Sequence, residues 1–147
     1  MALILLNPNE TSGPFGQYSA DNVFGVIGSN ETAIISANGR VTLDGSFNAG
    51  GDGIRILGNA GSYTASIVGS NLRLTTPDGA DIKIPFGTVG VAIEFADATR
   101  TLKIENGVLV LGSQTIATSG NTEVVDGTAG GEEADGARGV RQRGTPL

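Results

Sequence analysis

Three side chains that carry oxygen ligands, Asp44, Asn48 and Asp52, lie four residues apart in the stretch LDGSFNAGGDGIRIL, which begins at Leu43. Carboxylate and amide oxygens are the donors that Ca²⁺ prefers, and a set made only of oxygen selects calcium over transition metals. A glycine-rich backbone can curl enough to bring such side chains together. The spacing therefore predicts Asp44, Asn48 and Asp52 as the ligands of a calcium site, and no other cofactor is expected.

Neither of two standard calcium loops fits this stretch. An EF-hand loop that began at Asp44 would need Gly at its sixth position and Glu at its twelfth, but Ala49 and Arg55 stand there. The nonapeptide of calcium-binding β-rolls fits the glycines nearby but needs Asp where Arg55 stands. The alternative interpretation is an ordinary glycine-rich loop, in which Asp and Asn side chains hydrogen-bond to their own backbone.

Carboxylate catalysis is the other chemistry that the sequence could support, with Glu94, Asp97 and Glu105 as the candidates for a glycosidase-type pair. Glu94 lies in an alternating apolar and polar run, so we expect it to face solvent as an ordinary surface charge. The chain has no His and no Cys. It therefore lacks the usual general base, the thiol nucleophile and the usual ligands of zinc, copper, haem and iron–sulfur clusters. We expect no catalytic residues and a protein that is not an enzyme.

Charge and hydropathy exclude two classes of partner. The net charge is −6, from 15 acidic and 9 basic residues, which disfavours binding to nucleic acid. The N-terminal run MALILLN ends at Asn7-Pro8, so it is too short for a membrane span and lacks the basic region of a signal peptide. We expect no transmembrane segment, and the run has the length of a β-strand.

Short apolar runs of strand length recur about every ten residues between Val23 and Ala117, and no stretch shows apolar residues at helical spacing. Asn38-Gly39 and Asn106-Gly107 are strong signals for tight turns. This pattern predicts an all-β fold, specifically an antiparallel β-sandwich of jelly-roll-like form with extended N- and C-terminal segments. A β-solenoid is the alternative, but it would need a fixed period, and no convincing internal repeat is apparent.

Composition divides the chain into an N-terminal strand and linker (1–22), a β-rich core domain (23–118) and a low-complexity C-terminal tail (119–147). The tail has few apolar residues, so we expect it to be ordered only against a neighbouring subunit. The triplet Asn-Glu-Thr occurs at Asn9–Thr11 and at Asn30–Thr32. Each is formally a glycosylation acceptor, but such triplets are common by chance.

A series of small motifs in the core follows a recognisable order. They are Leu43-Asp44, Ser46-Phe47-Asn48, Gly50-Gly51-Asp52, Tyr63, Ile84-Pro85, Gly87, Gly90, Phe95-Ala96-Asp97, Leu102 and Leu111-Gly112. The run that holds them, Val41 to Ile116, resembles a β-rich module of bacterial S-layer-like and RTX-like surface proteins that are exported by type I secretion. The resemblance implies an extracellular or cell-surface location, and it implies no biochemical activity.

These observations favour a structural, self-assembling extracellular subunit, such as a surface or matrix filament. A short apolar strand at the N-terminus, Ala2, Leu3, Ile4, Leu5 and Leu6, could add to the sheet edge of the next subunit, with residues 7–22 as the linker. The protein itself would then be the main partner, and cell-surface polysaccharide is a second candidate. The alternative function is a calcium-binding adhesin or an S-layer-type binding module.

Overall fold

A computed structural model describes residues 2–48 and 51–124, and this part of the chain is all-β. The predicted tail from residue 125 onward lies outside the described residues. The strands are β1 (Ala2–Leu5), β2 (Thr11–Phe15), β3 (Asp21–Phe24), β4 (Thr32–Ile35), β5 (Arg40–Leu43), β6 (Gly53–Ile56), β7 (Thr64–Val68), β8 (Asn71–Thr75), β9 (Asp81–Pro85), β10 (Val91–Glu94), β11 (Thr99–Glu105), β12 (Val108–Leu111), β13 (Gln114–Thr115) and β14 (Thr122–Glu123). Short 3₁₀ turns span Gly45–Asn48 and Ala60–Ser62.

The described residues form two mixed seven-stranded sheets, consistent with a β-sandwich. Sheet I has the order β1-β3-β5-β9-β8-β7-β14, and sheet II has the order β13-β12-β11-β10-β6-β4-β2. The inner strands bury alternate residues, as in β8 and β12. The buried side chains of both sheets belong to one apolar cluster, because strands pleat so that every second residue points to the same face. The all-β prediction is confirmed.

The first half of the chain winds from one sheet to the other. The strands β1, β3 and β5 lie side by side and parallel in sheet I, and β2, β4 and β6 do the same in sheet II. Thr11 pairs with Thr32 and Thr32 with Gly53, an interval of 21 residues in both cases. The chain therefore makes three stacked coils, each with one strand in each sheet.

The second half is built from antiparallel hairpins. β7, β8 and β9 form a meander in sheet I, and β10 to β13 form another in sheet II. Each meander joins the coils through one parallel contact, β9 against β5 and β10 against β6. In the tight turn from β11 to β12, Asn106 and Gly107 have φ of 54° and 80°, as the turn signal predicts.

The predicted antiparallel, jelly-roll-like pairing is wrong for the coiled half. The turn at Asn38-Gly39 connects β4 in sheet II to β5 in sheet I, so it joins two sheets and does not close a hairpin. Neither residue has a positive φ, and Gly39 is buried against the carbonyl oxygens of Phe15 and Ser36. A β-solenoid does not describe the whole chain either, because hairpins follow the three coils.

The two chain segments outside the predicted core also belong to the sheets. Residues 7–22 contain β2, which pairs with β4, and are therefore not a free linker. Beyond residue 118, β14 pairs with β7, and Val124 is buried with its N–H donating to the Tyr63 carbonyl oxygen at 3.0 Å. Both strands are short or polar edge strands, which explains why no apolar alternation marks them in the sequence.

Candidate functional site

Polar side chains concentrate where the coils turn from sheet I to sheet II. Three such turns, residues 6–10, 25–31 and the described part of 44–52, lie next to one another, because the strands that flank them are stacked in parallel. We call them the corner stack. The stretch that begins at Leu43 supplies its third corner, so the loop singled out in the sequence is one layer of a repeated structure.

The corner stack explains the doubled Asn-Glu-Thr triplet. Glu10, Glu31 and Asp52 directly precede the paired residues of β2, β4 and β6, so they occupy equivalent positions in the three coils. The N–H of Thr32 donates to the Glu10 carbonyl oxygen, and the N–H of Gly53 donates to that of Glu31, both at 2.9 Å. The triplet therefore marks the 21-residue repeat that the sequence pattern alone did not reveal.

Glu31 is the buried centre of the stack, with no exposed surface. Its Oε1 accepts from the Val26 N–H at 2.7 Å, and its Oε2 accepts from the Asn9 N–H at 3.0 Å and the Ser29 hydroxyl at 2.5 Å. Burial by itself would raise the pKa of Glu31, but these three donors, together with the Asp52 carboxyl that can share its proton with Glu31, hold the pKa below its ordinary value. Glu31 thus ties the first corner to the second as an ionised carboxylate.

Asp52 lies against Glu31 from the third corner, and only 5% of it is exposed. Its Oδ1 accepts from the Glu31 N–H at 2.9 Å, whereas its Oδ2 is buried without a hydrogen-bond partner among the described residues. Burial raises the pKa of Asp52 to about 6 and the Glu31 N–H opposes that rise. The negative charge of Glu31, the proton that the two carboxyls can share and the negative charge of Asp44 add to the rise. The two carboxyls are close enough to interact directly.

Asp44 holds the second and third corners together. Its Oδ1 accepts from the Gly25 N–H at 3.1 Å and from the Ser46 hydroxyl at 2.6 Å. A Cβ on Gly25 would lie 2.7 Å from Ser46 Oγ and 2.9 Å from Glu31 Oε1, which is closer than such atoms approach. The absence of a side chain at position 25 therefore lets the two corners pack this tightly.

The structure brings two of the three predicted calcium ligands, Asp44 and Asp52, into the corner stack. The side chain of Asn48 lies outside the described residues. No group of three or more acidic, His or Cys side chains is arranged to hold a metal ion within 2–48 and 51–124. Sequence reasoning missed Glu31, although its place 21 residues before Asp52, in a triplet that occurs twice, was a usable signal.

The carboxylates considered for catalysis each have a structural partner. Glu94 is exposed, as predicted, and its Oε1 lies 3.3 Å from Arg55 Nε. Asp97 accepts from the Ala60 N–H at 2.9 Å, and Glu105 lies 3.7 Å from Lys103 Nζ. None of the three carboxylates lines either of two surface cavities of about 310 and 210 Å³. The geometry therefore adds nothing in favour of a glycosidase-type pair.

The N-terminal strand β1 forms the open edge of sheet I. Ile4 packs against the core and Leu6, just after the strand, is buried, whereas Leu3 and Leu5 are 68% and 71% exposed. The N–H groups of Ala2 and Leu6 donate to β3 and its flanking residue. Because donors alternate along a strand, those of Leu3 and Leu5 point away from β3. Within the part of the chain that the structure describes, this edge thus offers apolar side chains together with unpaired backbone groups.

More apolar surface continues from this edge. Leu5 pairs with Phe24 of β3, and the chain then runs directly into Val26 and Ile27, of which Ile27 is 76% exposed. Leu3, Leu5, Val26 and Ile27 therefore belong to adjoining parts of the first two coils; we call this set the β1 edge patch. Exposed apolar residues that cluster at a strand edge are typical of a contact surface.

The chain matches no protein-family model, no curated protein and no solved structure. Within 2–48 and 51–124, the fold contains no helix long and apolar enough to cross a membrane. The resemblance to surface-protein modules stays a prediction.

Proposed function

We propose that this protein is a structural subunit that assembles with copies of itself by pairing of β-sheet edges, with β1 as the contact strand. The observation that carries the proposal is the β1 edge patch, in which Leu3 and Leu5 are mostly exposed beside backbone groups that pair with no other described strand. Pairing of two such edges satisfies the backbone groups and covers part of each leucine with cross-strand neighbours on the same face. The partner we propose is a second copy of the chain, because its β1 presents the same four uncharged residues and the same outward-facing backbone groups.

The other sheet edges are less suited to pairing. β2, at one edge of sheet II, contains Gly13 and Pro14, and proline has no N–H to donate to a ladder. β13 and β14, at the remaining edges, are two residues long. Natural proteins blunt their edges with such short or proline-containing strands. β1 has four residues, no charge and no proline, so it lacks these protections.

Assembly does not require β1 to leave its own domain. Ile4 and Leu6 already pack in the core of their own chain, so removing the strand would expose them. Donation of the whole strand to a neighbour, with residues 7–22 as a linker, is therefore disfavoured by packing. In the proposed arrangement β1 stays paired with β3 and presents only its outer edge to the next copy.

We place such an assembly outside the cell, on a surface or in a matrix. The support is the resemblance of residues 41–116 to modules of exported surface proteins, together with a chain that is free of Cys and rich in Gly. An assembly made by backbone pairing needs no cofactor and no catalytic residue. Stability and shape would then be the whole of its biochemical role.

The test is a charge substitution at the edge with a matched control. Leu3→Lys/Leu5→Lys puts two positive charges on β1, a common natural protection of edges. Leu57→Lys/Val89→Lys changes the net charge equally at positions that are 48% and 49% exposed and lie outside the β1 edge patch. We expect self-association, measured by sedimentation and light scattering, to weaken at least about tenfold in the first variant only.

Electron microscopy of the same samples distinguishes closed oligomers from filaments. If the native chain is monomeric at all concentrations, self-assembly is wrong and a monomeric binding module becomes the better description. If Leu3→Lys/Leu5→Lys assembles as the native chain does, association exists but does not use β1. Both variants should remain folded, because substitutions at exposed positions change stability by only about 0.5 kcal/mol.

A further inference from the structure

We propose that Glu31 and Asp52 form a binding site for one divalent cation of the calcium class, within the corner stack. The site differs from the one predicted by spacing, because Glu31 replaces Asn48 as a ligand and comes from a different coil. The inference does not depend on the proposed self-assembly, since it concerns contacts within one chain.

A buried oxygen of Asp52 points to a bound cation. Asp52 is only 5% exposed, and its Oδ2 has no hydrogen-bond partner among the described residues. A buried carboxylate oxygen without a partner costs free energy, so such atoms usually face a proton, a water molecule or an ion. The Asp52 carboxyl interacts directly with the Glu31 carboxylate, whose own oxygens accept from three donors.

The negative charge of the buried pair also favours a bound cation. Glu31 and Asp52 are two acidic groups in contact and both buried, and Asp44 adds a third negative charge nearby. Arg55, Arg73, Lys83 and Lys103 pair with other carboxylates. Among the described residues, no basic side chain shifts the pKa of Glu31 or Asp52. A cation is the neutralising group that a buried pair of ionised carboxylates favours when no basic side chain is present.

The oxygen atoms around the pair still have free lone pairs that could bind a cation. A carboxylate offers about four lone-pair sites, of which Glu31 uses three and Asp52 uses one. The Asn30 amide oxygen lies against Gly51, where a Cβ would collide with it, so a neutral oxygen lies beside the residue that precedes Asp52. Calcium accepts carboxylates together with neutral oxygens and water at a coordination of six to eight. Two carboxylates therefore suffice, and a group of three is not required.

Binding would lock the second coil to the third. Glu31 belongs to the corner that precedes β4, and Asp52 to the corner that precedes β6, so a shared ion stabilises their packing. Because the ion binds the folded chain and not the unfolded one, it raises the unfolding temperature as its concentration rises above the dissociation constant. With excess Ca²⁺ we expect an increase on the order of 5–10 °C.

The experiment uses the full chain freed of metal with a chelator, at pH 7.5. Thermal unfolding is followed with CaCl₂, with MgCl₂ and with KCl at matched ionic strength, and calorimetric titration with CaCl₂ gives the stoichiometry. The variants are Asp52→Asn and Glu31→Gln, and Asp78→Asn, in an exposed turn, is the control. We expect one Ca²⁺ per chain and a raised unfolding temperature in the native chain and in the control, and neither in the two site variants.

Several results would overturn the proposal. Calcium that leaves the native unfolding temperature unchanged and gives no binding heat removes the site. Calcium stabilisation that persists in Asp52→Asn moves the ion elsewhere. A third result would assign a shared proton, and not an ion, to the pair. In it, calcium does not change the stability of the native chain, which falls from pH 5 to pH 7, and the stability of Asp52→Asn does not depend on pH. If Asp52→Asn fails to fold, the calcium response of Glu31→Gln and the calorimetric titration of the native chain show whether the site exists.

Discussion

Phe47 shows how one side chain fixes the corner that holds the candidate site. It lies in the short 3₁₀ turn Gly45–Asn48 and has no exposed surface, although its neighbours in the sequence are small or polar. Packing of this ring anchors a segment that would otherwise have little to bury. The acidic residues on either side, Asp44 and Asp52, are positioned as a consequence.

We predict that Phe47→Ala lowers the free energy of unfolding by about 3–5 kcal/mol, because removal of a buried ring leaves a cavity. Phe47→Leu should cost less, since it retains most of the volume. Tyr18→Ala is the control, because Tyr18 is 89% exposed. Urea denaturation measures all three, and an unchanged midpoint for Phe47→Ala would show that the ring does not anchor the corner.

Arg73 and Asp81 form the best-defined ion pair on the surface of sheet I. Arg73 Nε and Nη2 each donate to one Asp81 carboxylate oxygen at 2.9 Å. Hydrogen bonding from Arg73 is the main reason that the pKa of Asp81 lies below its ordinary value; burial opposes the shift, and the charge of Lys83 adds to it. Arg73 is 42% exposed, so water screens the pair and its contribution is small.

Because the folded-state pKa of Asp81 is depressed, its stabilising contribution is present above the unfolded pKa of about 3.9. It is lost as the pH falls through the lowered folded pKa. We predict that Asp81→Asn costs about 0.5–1 kcal/mol at pH 7 and that this difference shrinks in acid. Denaturant unfolding at pH 7 and below pH 3.5 measures it. A difference that is independent of pH would mean that packing, not charge, is lost.

At the scale of the elements, the stacking of corners depends on close backbone approach. Gly25 lies between Ser46 and Glu31, whereas Gly45, in the next corner, has open space around its Cβ position. Neither residue has a positive φ, so a side chain is tolerated by the backbone at both positions. The two glycines therefore separate the effect of crowding from that of backbone entropy.

We predict that Gly25→Ala destabilises the protein by about 1–3 kcal/mol, because the methyl group forces apart two hydrogen-bonded corners. Gly45→Ala should change stability by less than about 0.5 kcal/mol. Thermal unfolding of both variants under the same conditions is the measurement. Equal effects would show that the corners are not packed as tightly as the distances indicate.

At the scale of the whole molecule, the end of the described chain closes sheet I. Gln114 Nε2 donates to the Glu123 carbonyl oxygen at 2.6 Å, and the Ala117 N–H donates to Thr122 Oγ1 at 3.0 Å. Val124 then enters the core. These contacts join the end of sheet II to the far edge of sheet I, so the segment ties the two layers together.

We predict that a chain ending at residue 118 is less stable than one ending at Val124 by about 2 kcal/mol, the value of one buried valine with its strand contacts. Urea denaturation of the two truncated chains, purified in parallel, measures the difference. A chain ending at Val124 with Val124→Ser separates side-chain burial from strand pairing. Equal stability of all three would place the boundary of the domain at residue 118, as composition predicts.

The sequence by itself determined the fold class and the position of most strands. Alternation of apolar and polar residues, as at Ile54–Leu57, is a local property of a pleated chain with one buried face. The turn at Asn106-Gly107 was equally local, because its backbone angles suit those two residues. β2 escaped detection because an exposed edge strand that contains glycine and proline needs no apolar face.

Tertiary structure alone decided which strands pair, and in which direction. Asn38-Gly39 reads like the turn of a hairpin, yet the chain crosses to the other sheet there, because β5 finds parallel partners on both sides, in β3 and β9. Glu31 was not predicted for the same reason, because its surroundings depend on which strands pair. Residue type and glycine content pointed to Asp44 and Asp52, but the burial of Glu31 depends on coils that lie about 20 residues away and stack only when the chain folds.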